Sequence, residues 1–229
     1  MSAAGAPRHS PSVSTTRLRF VARSLAFLQL SGSHYFDKTA KKLQAGELEW
    51  RATYAMAARA EPDNHETYYQ LDHSDGQFKF WKNNSNGQRF FSSNGEHQGS
   101  AGVDYTQNFK QWAGHAARFK LGAAVRYRFR EFSARRFNFL SFGTLPDGTL
   151  INAWSPEQLF APENFLGVPN QGVYMDEFTL ASDTYTGRMG VYAAYGMVDL
   201  PLAQAVKVVV GARFESAQQS IDSFVNDEW

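Results

Sequence analysis

Arginine side chains recur at every second position from Arg126 to Arg130, and two further arginines follow at Arg135 and Arg136. Alternate residues of a β-strand project from the same face, so an extended segment would bring Arg126, Arg128 and Arg130 into one row. Guanidinium groups bind carboxylates and phosphates through paired hydrogen bonds, and such a row would suit an anionic ligand. A structural alternative stays open, in which the row pairs with acids of neighbouring strands.

Aromatic residues in two polar segments form a second group of candidate ligand contacts. Tyr68, Tyr69 and Trp81 precede Phe90 in the first segment, and Trp154 lies in the second. Aromatic rings stack on planar or apolar ligands, and the tyrosine hydroxyl adds a hydrogen-bonding group. Packing within a loop explains the same residues equally well, so both interpretations stay open.

Motifs for catalysis and for metal binding are missing from the sequence. Its six histidines include no His-Glu-x-x-His and no His-x-His spacing, and neither a Gly-x-Ser-x-Gly elbow nor a phosphate-binding loop occurs. His65 and His73 stand near several acids, but a solvated loop is the favoured interpretation of that segment. The chain has no cysteine, which excludes disulfides and thiolate metal sites. We therefore predict no enzymatic activity, no metal site and no cofactor.

The amino-acid composition argues against some classes of protein but leaves a membrane protein possible. The chain has 229 residues, of which 43% are hydrophobic, and a formal charge of +1. A nucleic-acid-binding protein normally carries a basic face, so the near-neutral charge argues against nucleic acid as a partner. No run of about 18 apolar residues is present to form a transmembrane helix. A transmembrane barrel remains compatible, because its strands carry apolar residues only at every second position.

Alternation of apolar and polar residues predicts the strands that would position these side chains. It is clearest over residues 188–216, which we predict to form a β-hairpin that reverses near Pro201. Val191 and Tyr195 are assigned to its outer, apolar face. A strand of about 9–11 tilted residues can cross a bilayer, and each arm of the hairpin is long enough. Further strands are predicted at residues 19–36, 47–59, 97–109 and 118–130.

The polar segments between these strands alternate in length. Short connections at residues 37–46, 110–115 and 199–205 alternate with long ones at residues 61–95 and 141–176. Short turns on one side and long loops on the other are typical of outer-membrane barrels. The second long loop contains a predicted helical segment from Pro156 to Phe165, capped by Ser155.

The alternation and the loop lengths together predict an all-β fold. We expect an antiparallel up-and-down transmembrane β-barrel segment of about six strands, an incomplete barrel with long extracellular loops. The alternative is a soluble or periplasmic β-sandwich that binds a ligand such as a carbohydrate, in which the apolar faces of two sheets bury each other. Recovery of the folded chain without detergent would favour the sandwich.

The N-terminal region differs from the rest of the chain in composition. Residues 1–18 contain many small and polar residues, and we predict a disordered segment there. Arginines at positions 17, 19 and 23 precede a short apolar run at residues 25–30, which could belong to a signal peptide. A strand is the favoured interpretation, because the apolar run is very short and no cleavage site follows it.

Several short motifs occur in order between residues 26 and 221. They are Glu-Pro-Asp at Glu61–Asp63, Arg-Phe-Phe at Arg89–Phe91, Ala-Arg-Arg-Phe at Ala134–Phe137, Leu-Phe-Ala-Pro-Glu-Asn at Leu159–Asn164 and Gly-Ala-Arg-Phe-Glu at Gly211–Glu215. With these motifs the chain resembles the β-barrel portion of TonB-dependent outer-membrane receptors. The resemblance implies that residues 19–229 form a partial β-barrel of that family.

The resemblance also implies a function, a location and partners. Such receptors bind a ligand on extracellular loops and on a plug domain, and contact between the plug and TonB supplies the energy for uptake. We therefore expect a receptor fragment in the outer membrane of a Gram-negative bacterium, which takes up a siderophore or a similar nutrient. Its expected partners are outer-membrane lipid, the remaining barrel strands, the plug domain and, through the plug, TonB. The arginines and aromatic residues named above would contact the ligand.

Overall fold

The computed structural model describes residues 12–37, 43–80, 87–167, 171–203 and 205–223. Strands make up 76% of the structure, and they belong to one antiparallel sheet of nine strands that does not close. The predicted all-β class with antiparallel strands is therefore confirmed. The β-sandwich alternative requires two sheets, whereas the described residues form one.

The strands follow one another along the chain with little other structure between them. They are β1 (Val13–Arg19), β2 (Ala22–Phe36), β3 (Leu43–Asp72), β4 (Gln77–Phe80), β5 (Gly87–Lys110), β6 (Ala116–Ser141), β7 (Val173–Glu177), β8 (Thr184–Ala203) and β9 (Val206–Ser223). The sheet order is β1-β3-β5-β6-β8-β9, while β2 and β4 also pair with β3 and β7 pairs with β6. The long strands β3, β5, β6, β8 and β9 thus lie in the sheet in the order in which they occur in the chain.

The chain divides into two compact units, and several strands contribute to both. Unit 1 contains the segment up to Ala22 together with Ala60–Ser93 and Ser133–Asp183. Unit 2 contains Arg23–Arg59, Asn94–Phe132 and the segment from Thr184 onward.

Unit 1 has a small aromatic and aliphatic core beneath the connection between β6 and β7. Ile151, Leu159 and Val173 are fully buried, and they pack with Tyr69, Phe80 and Phe139 of the strands. Leu159 belongs to the helix α1 (Pro156–Leu159), which begins at a capping box formed by Ser155 and Gln158. The predicted helical segment with a Ser155 cap is therefore confirmed, and its helical turns end at the 3-10 turn Pro162–Asn164.

Unit 2 is a sheet with one polar and one apolar face. Hydrogen bonds, ion pairs and a shared cavity connect the residues of the polar face. The polar face carries Arg51, Thr53, Glu96, Gln98, Ser100, Asp104, Lys120, Arg126, Arg128, Arg130, Val191, Ala193, Tyr195, Arg213 and Glu215. The apolar face carries the alternate residues Tyr54, Met56, Val103, Leu121, Tyr127, Tyr192, Ala194, Val208, Val210 and Phe214.

The register between β8 and β9 corrects the predicted outer face of the hairpin. Tyr195 lies opposite Arg213, and Ala194 lies opposite Phe214. Directly opposite residues of an antiparallel ladder share a face, so Tyr195 belongs to the polar face, and Val191, four residues earlier, belongs there with it. The prediction that both residues face outward was wrong. It chose the outer face of β8 from the apolar residues of β8 alone, whereas the residues opposite them in β9 show which face is polar.

Tyr195 has a specific contact on the polar face that explains why it is not outside. Its hydroxyl donates a hydrogen bond to Asp104 Oδ1 at 2.5 Å, and Nη1 of Arg51 lies 4.0 Å from Asp104 Oδ2. The tyrosine ring crosses β6 directly above Gly122, where a Cβ atom would overlap both the ring and the Asp104 carboxylate. A residue without a side chain is therefore needed at this position.

The predicted long loop at residues 61–95 is wrong over most of its length. Strand β3 continues to Asp72 and β5 begins at Gly87, and β4 forms a further short strand at Gln77–Phe80. The segment is polar because its strands are joined by ion pairs. Arg17 contacts Glu66 at 2.6 Å, and Arg19 contacts Glu61 at 3.1 Å. Polar turn-like sequence therefore does not exclude a strand where cross-strand charges match.

Two further boundaries differ from the prediction. Val13–Arg19 forms β1, so the interpretation of residues 1–18 as disordered is corrected from Val13 onward, where pairing with β3 orders the polar chain. Residues 1–11 lie outside the described residues.

Pro201 does not form the reversal of the hairpin. It pairs with Lys207 at a register shift, β8 continues to Ala203, and β9 begins at Val206. A bulge is a position that tolerates a residue lacking an N–H group.

Replacing Gly122 with alanine should destabilise the polar face of unit 2. The added methyl group would displace the Tyr195 ring from Asp104, which we expect to lower the free energy of unfolding by about 1–3 kcal/mol. Urea unfolding of the full chain in detergent measures this change. Gly99→Ala in β5 is the matched control, because a Cβ atom there meets nothing within 4 Å. Equal stabilities of the two variants would contradict the proposed role of Gly122.

Candidate functional site

The structure brings two arginines of the predicted row together around a single acid. Arg130 donates two hydrogen bonds to Glu96 Oε2, at 3.0 and 2.7 Å, and Arg128 Nε lies 3.3 Å from Glu96 Oε1. Arg128 also donates to the side-chain oxygen of Gln98 at 3.0 Å. Because Glu96 neutralises part of this charge, the geometry favours the structural interpretation of Arg128 and Arg130.

Arg126, the third member of the row, has different surroundings. It lines a cavity of about 120 Å³ on the polar face with Arg51, Arg213 and Glu215. Arg213 donates a 2.8 Å hydrogen bond to Glu215. Among the described residues, no hydrogen bond or ion pair involves Arg126, and its side chain is exposed. This cavity therefore has an excess of positive charge, and Arg126 is the arginine of the row best placed to meet an anion.

Arg135 and Arg136 lie in unit 1 and pair with different acids. Arg135 donates hydrogen bonds to both carboxylate oxygens of Glu177, at 3.0 and 2.9 Å. Arg136 lies 2.9 Å from Asp183, and its guanidinium group sits 5.6 Å from the ring centre of Phe90. Both arginines therefore have an acid of the same unit as a partner, which again favours the structural interpretation.

Of the five aromatic candidates, Tyr68 and Tyr69 lie on opposite faces of β3. Tyr69 is buried in the core of unit 1, its hydroxyl has no hydrogen-bond partner there, and burial raises its pKa. Tyr68 projects from the opposite face of β3, where its hydroxyl interacts with Glu66, and that hydrogen bond raises the pKa of Tyr68. Trp81 lies outside the described residues. Tyr69 therefore acts as a core residue, and only Tyr68 remains on a surface.

A cavity of about 300 Å³ in unit 1 was not predicted from the sequence. One side of the cavity is formed by side chains of β1 and β3, which face each other across their ladder at Thr16–Thr67 and Leu18–His65. The other side is aromatic. Its complete lining consists of Thr16, Leu18, His65, Thr67, Arg89, Phe139, Pro156, Glu157, Phe160 and Phe165.

His65 lies in a strand at this cavity, so its interpretation as part of a solvated loop was wrong. Its Nε2 atom lies 2.6 Å from Asp63 Oδ1, and the edge of its ring meets Phe139 at 6.5 Å between ring centres. The spacing of Asp63 and His65 places both on one face of β3, and this spacing was the available signal. The site at His65 could not be recognised from this spacing, because residues that contact His65, such as Phe139, are distant in the sequence.

Asp63 and Arg89 form the charged end of this region. Arg89 donates from Nε and Nη2 to the two oxygens of Asp63, at 2.8 Å each. The hydrogen bonds from Arg89 hold the pKa of Asp63 below its ordinary value of 3.8. The carboxylate is therefore ionised at neutral pH, and its charge is balanced by the guanidinium group.

Within the described ranges, no three His, Cys, Asp or Glu side chains are arranged to hold a metal ion. The same part of the chain contains no helix that is both long and apolar enough to span a membrane.

Acidification should weaken the pairing of β3 with β5 in unit 1. A depressed carboxyl pKa contributes stability that is complete above the ordinary value of 3.8 and is lost as the pH falls through the lower, folded-state value. We expect Asp63→Asn to remove about 1 kcal/mol or less at pH 6, because the pair is partly exposed. Amide hydrogen exchange of β3 and β5 at pH 6 and pH 3 measures the effect.

The control for this experiment is Asp176→Asn, which changes an exposed carboxylate of β7. It should leave the exchange of β3 and β5 as in the unmodified chain at both pH values. If Asp63→Asn loses as much protection on acidification as the unmodified chain, then Asp63 is not the group responsible.

No protein-family model matches this chain, and a comparison with curated proteins finds no match.

Proposed function

We propose that this chain supplies part of the barrel wall of a TonB-dependent receptor in the outer membrane of a Gram-negative bacterium. In this proposal the receptor takes up a siderophore or a similar nutrient with energy delivered through TonB. The main observation in support of this proposal is that one face of the sheet in unit 2 is apolar and exposed, while its opposite face carries the ion pairs.

The apolar face is too exposed to be stable against water. Tyr127 is 50% exposed, Tyr192 is 53% exposed and Phe214 is 72% exposed. Contiguous apolar patches of this kind on soluble monomers are rare beyond a few hundred Å². Burial of apolar surface contributes about 25 cal/mol per Å², so lipid contact would stabilise this face considerably. Outer-membrane lipid is the covering that fits a single sheet of antiparallel strands.

The polar face suits the interior of such a barrel. Interior positions of large outer-membrane barrels are polar and contact water, ligand or a plug. Glu96 neutralises part of the charge of Arg128 and Arg130, while Arg126 lines a small cavity with other arginines. We propose that Arg126 meets anionic groups of the ligand or acids of the plug domain. The other arginines of the row support the wall.

The lengths of the strands agree with this arrangement. β8 has 20 residues and β9 has 18, whereas a bilayer requires about 9–11 tilted residues. In this proposal the charged strand segments of unit 1 contact water rather than lipid, and they present Tyr68, Arg135 and Arg136. The remaining barrel strands would continue the sheet, which does not close. The motifs that resemble the receptor family support the same proposal, and no catalytic role is proposed.

Single cysteines on β6 and β8 test which face meets lipid. The chain contains no cysteine, so each variant has one reactive thiol. Refolded into phospholipid vesicles, Arg126→Cys should react with a membrane-impermeant maleimide after the vesicles are opened. Tyr192→Cys should be protected from this maleimide and should react with a lipid-soluble reagent. Val191→Cys, the sequence neighbour of Tyr192, should resemble Arg126→Cys.

The same variants in vesicle-free buffer provide the control, and a folded, soluble monomer there would favour a soluble protein. Equal reaction of Tyr192→Cys and Val191→Cys with the impermeant maleimide would overturn the membrane proposal. Protection of Arg126→Cys together with free reaction of Tyr192→Cys would invert the two faces.

A further inference from the structure

We propose that the 300 Å³ cavity of unit 1 binds a small, neutral aromatic molecule that carries a hydroxyl group. None of the arginines of the predicted row lines this site, and it was not among the expected ligand contacts. The inference rests on the lining of the cavity alone, and it does not require that unit 2 spans a membrane.

The size and the aromatic wall of the cavity define the body of the ligand. Ligand pockets commonly begin at about 300 Å³ and are mainly apolar, with a few polar groups that orient the ligand. Phe139 packs against Phe160 at 4.4 Å and against Phe165 at 6.5 Å between ring centres. All three rings line the cavity, and Leu18 and Pro156 add apolar contacts. Planar aromatic rings of a ligand would stack favourably against this wall.

Thr67 provides the polar contact that points to a ligand. The residue is 6% exposed, and its hydroxyl oxygen is buried without a hydrogen-bond partner. A buried hydroxyl group that lacks a partner is destabilising, and a native protein seldom retains one without a reason. Thr67 also lines the cavity, opposite Thr16 in the ladder of β1 and β3. A ligand hydroxyl can both donate and accept, so it would satisfy this group.

The charges around the cavity favour a neutral ligand over an anionic one. Arg89 already gives two hydrogen bonds to Asp63, so its positive charge is balanced within the protein. Glu157 is the carboxylate in the lining of the cavity, and it is exposed. Because Arg89 and Asp63 balance each other, a carboxylate on the ligand would meet unbalanced negative charge from Glu157. A neutral hydroxyl group has no such penalty.

Three related probes test this ligand class. They are 2-naphthol, which is neutral with a hydroxyl group, naphthalene, which lacks the hydroxyl, and 2-naphthoate, which is anionic. Equilibrium dialysis of the full chain in detergent micelles against empty micelles measures the excess binding of each probe. We expect 2-naphthol to bind about 2–10 times more tightly than naphthalene, which corresponds to one net hydrogen bond. 2-Naphthoate should bind most weakly.

Two variants and one matched control locate the site. Thr67→Val has the same shape without the hydroxyl, so it should abolish the preference for 2-naphthol over naphthalene and leave naphthalene binding unchanged. Phe160→Ala should weaken the binding of both 2-naphthol and naphthalene about fivefold or more, because an aromatic wall of the cavity is lost. Phe137→Ala is the control, since Phe137 packs against Phe91 in the same unit and does not line the cavity.

The proposal is overturned if Thr67→Val leaves the preference intact, or if Phe137→Ala weakens binding as much as Phe160→Ala. Tighter binding of 2-naphthoate than of 2-naphthol would show that the ligand class is wrong. Because Thr67→Val removes an unsatisfied group without changing volume, the folded state should survive, and circular dichroism of the variant checks it. Cysteine labelling of unit 2 is independent of all these outcomes, so failure of one proposal is distinguishable from failure of the other.

Discussion

Directly opposite residues in an antiparallel ladder project from the same face, and this constraint determines how unit 2 is organised. Arg213 and Tyr195 face each other across β8 and β9, and the Tyr195 hydroxyl reaches Asp104 on a strand two places away in the sheet. Gly122 lies between them because any side chain there would occupy the space of the tyrosine ring. Polar groups consequently collect on one side, and apolar residues such as Phe214 are left uncovered on the other.

The strands of unit 1 are stabilised in a different way from those of unit 2. Its strands carry charged residues that neutralise each other across the ladder, as Arg17 does with Glu66 and Arg89 with Asp63. A connection with a short helix then covers one group of aromatic side chains, so Leu159 becomes fully buried. The result is a local core with a cavity, although the strands themselves are hydrophilic. Strands of one sheet therefore carry two kinds of surface, a hydrophilic one with a local core in unit 1 and an exposed apolar face in unit 2.

Local features were predictable from the sequence, whereas distant partners were not. The alternation predicted the β8–β9 strands, and Ser155 with Pro156 predicted the helix, because each signal lies within a few residues. The face of Tyr195 was assigned wrongly since its partner Asp104 is 91 residues away. His65 was placed in a loop because the pairing that makes β3 a strand involves β1, which the composition had suggested to be disordered. The cavity beside Phe139 depends on such distant pairings, so sequence patterns alone did not reveal it.

The pairing of sequence neighbours along the sheet has a consequence for folding. The β8–β9 hairpin closes over the short connection between Ala203 and Val206. Closing a short loop costs little chain entropy, and an isolated hairpin forms in about 1–10 μs. The β6–β8 pairing must instead close the segment from Phe142 to Asp183, which includes the buried core residues Ile151, Leu159 and Val173 of unit 1. We therefore expect the β8–β9 hairpin to form first, and the aromatic core with its cavity to be completed later.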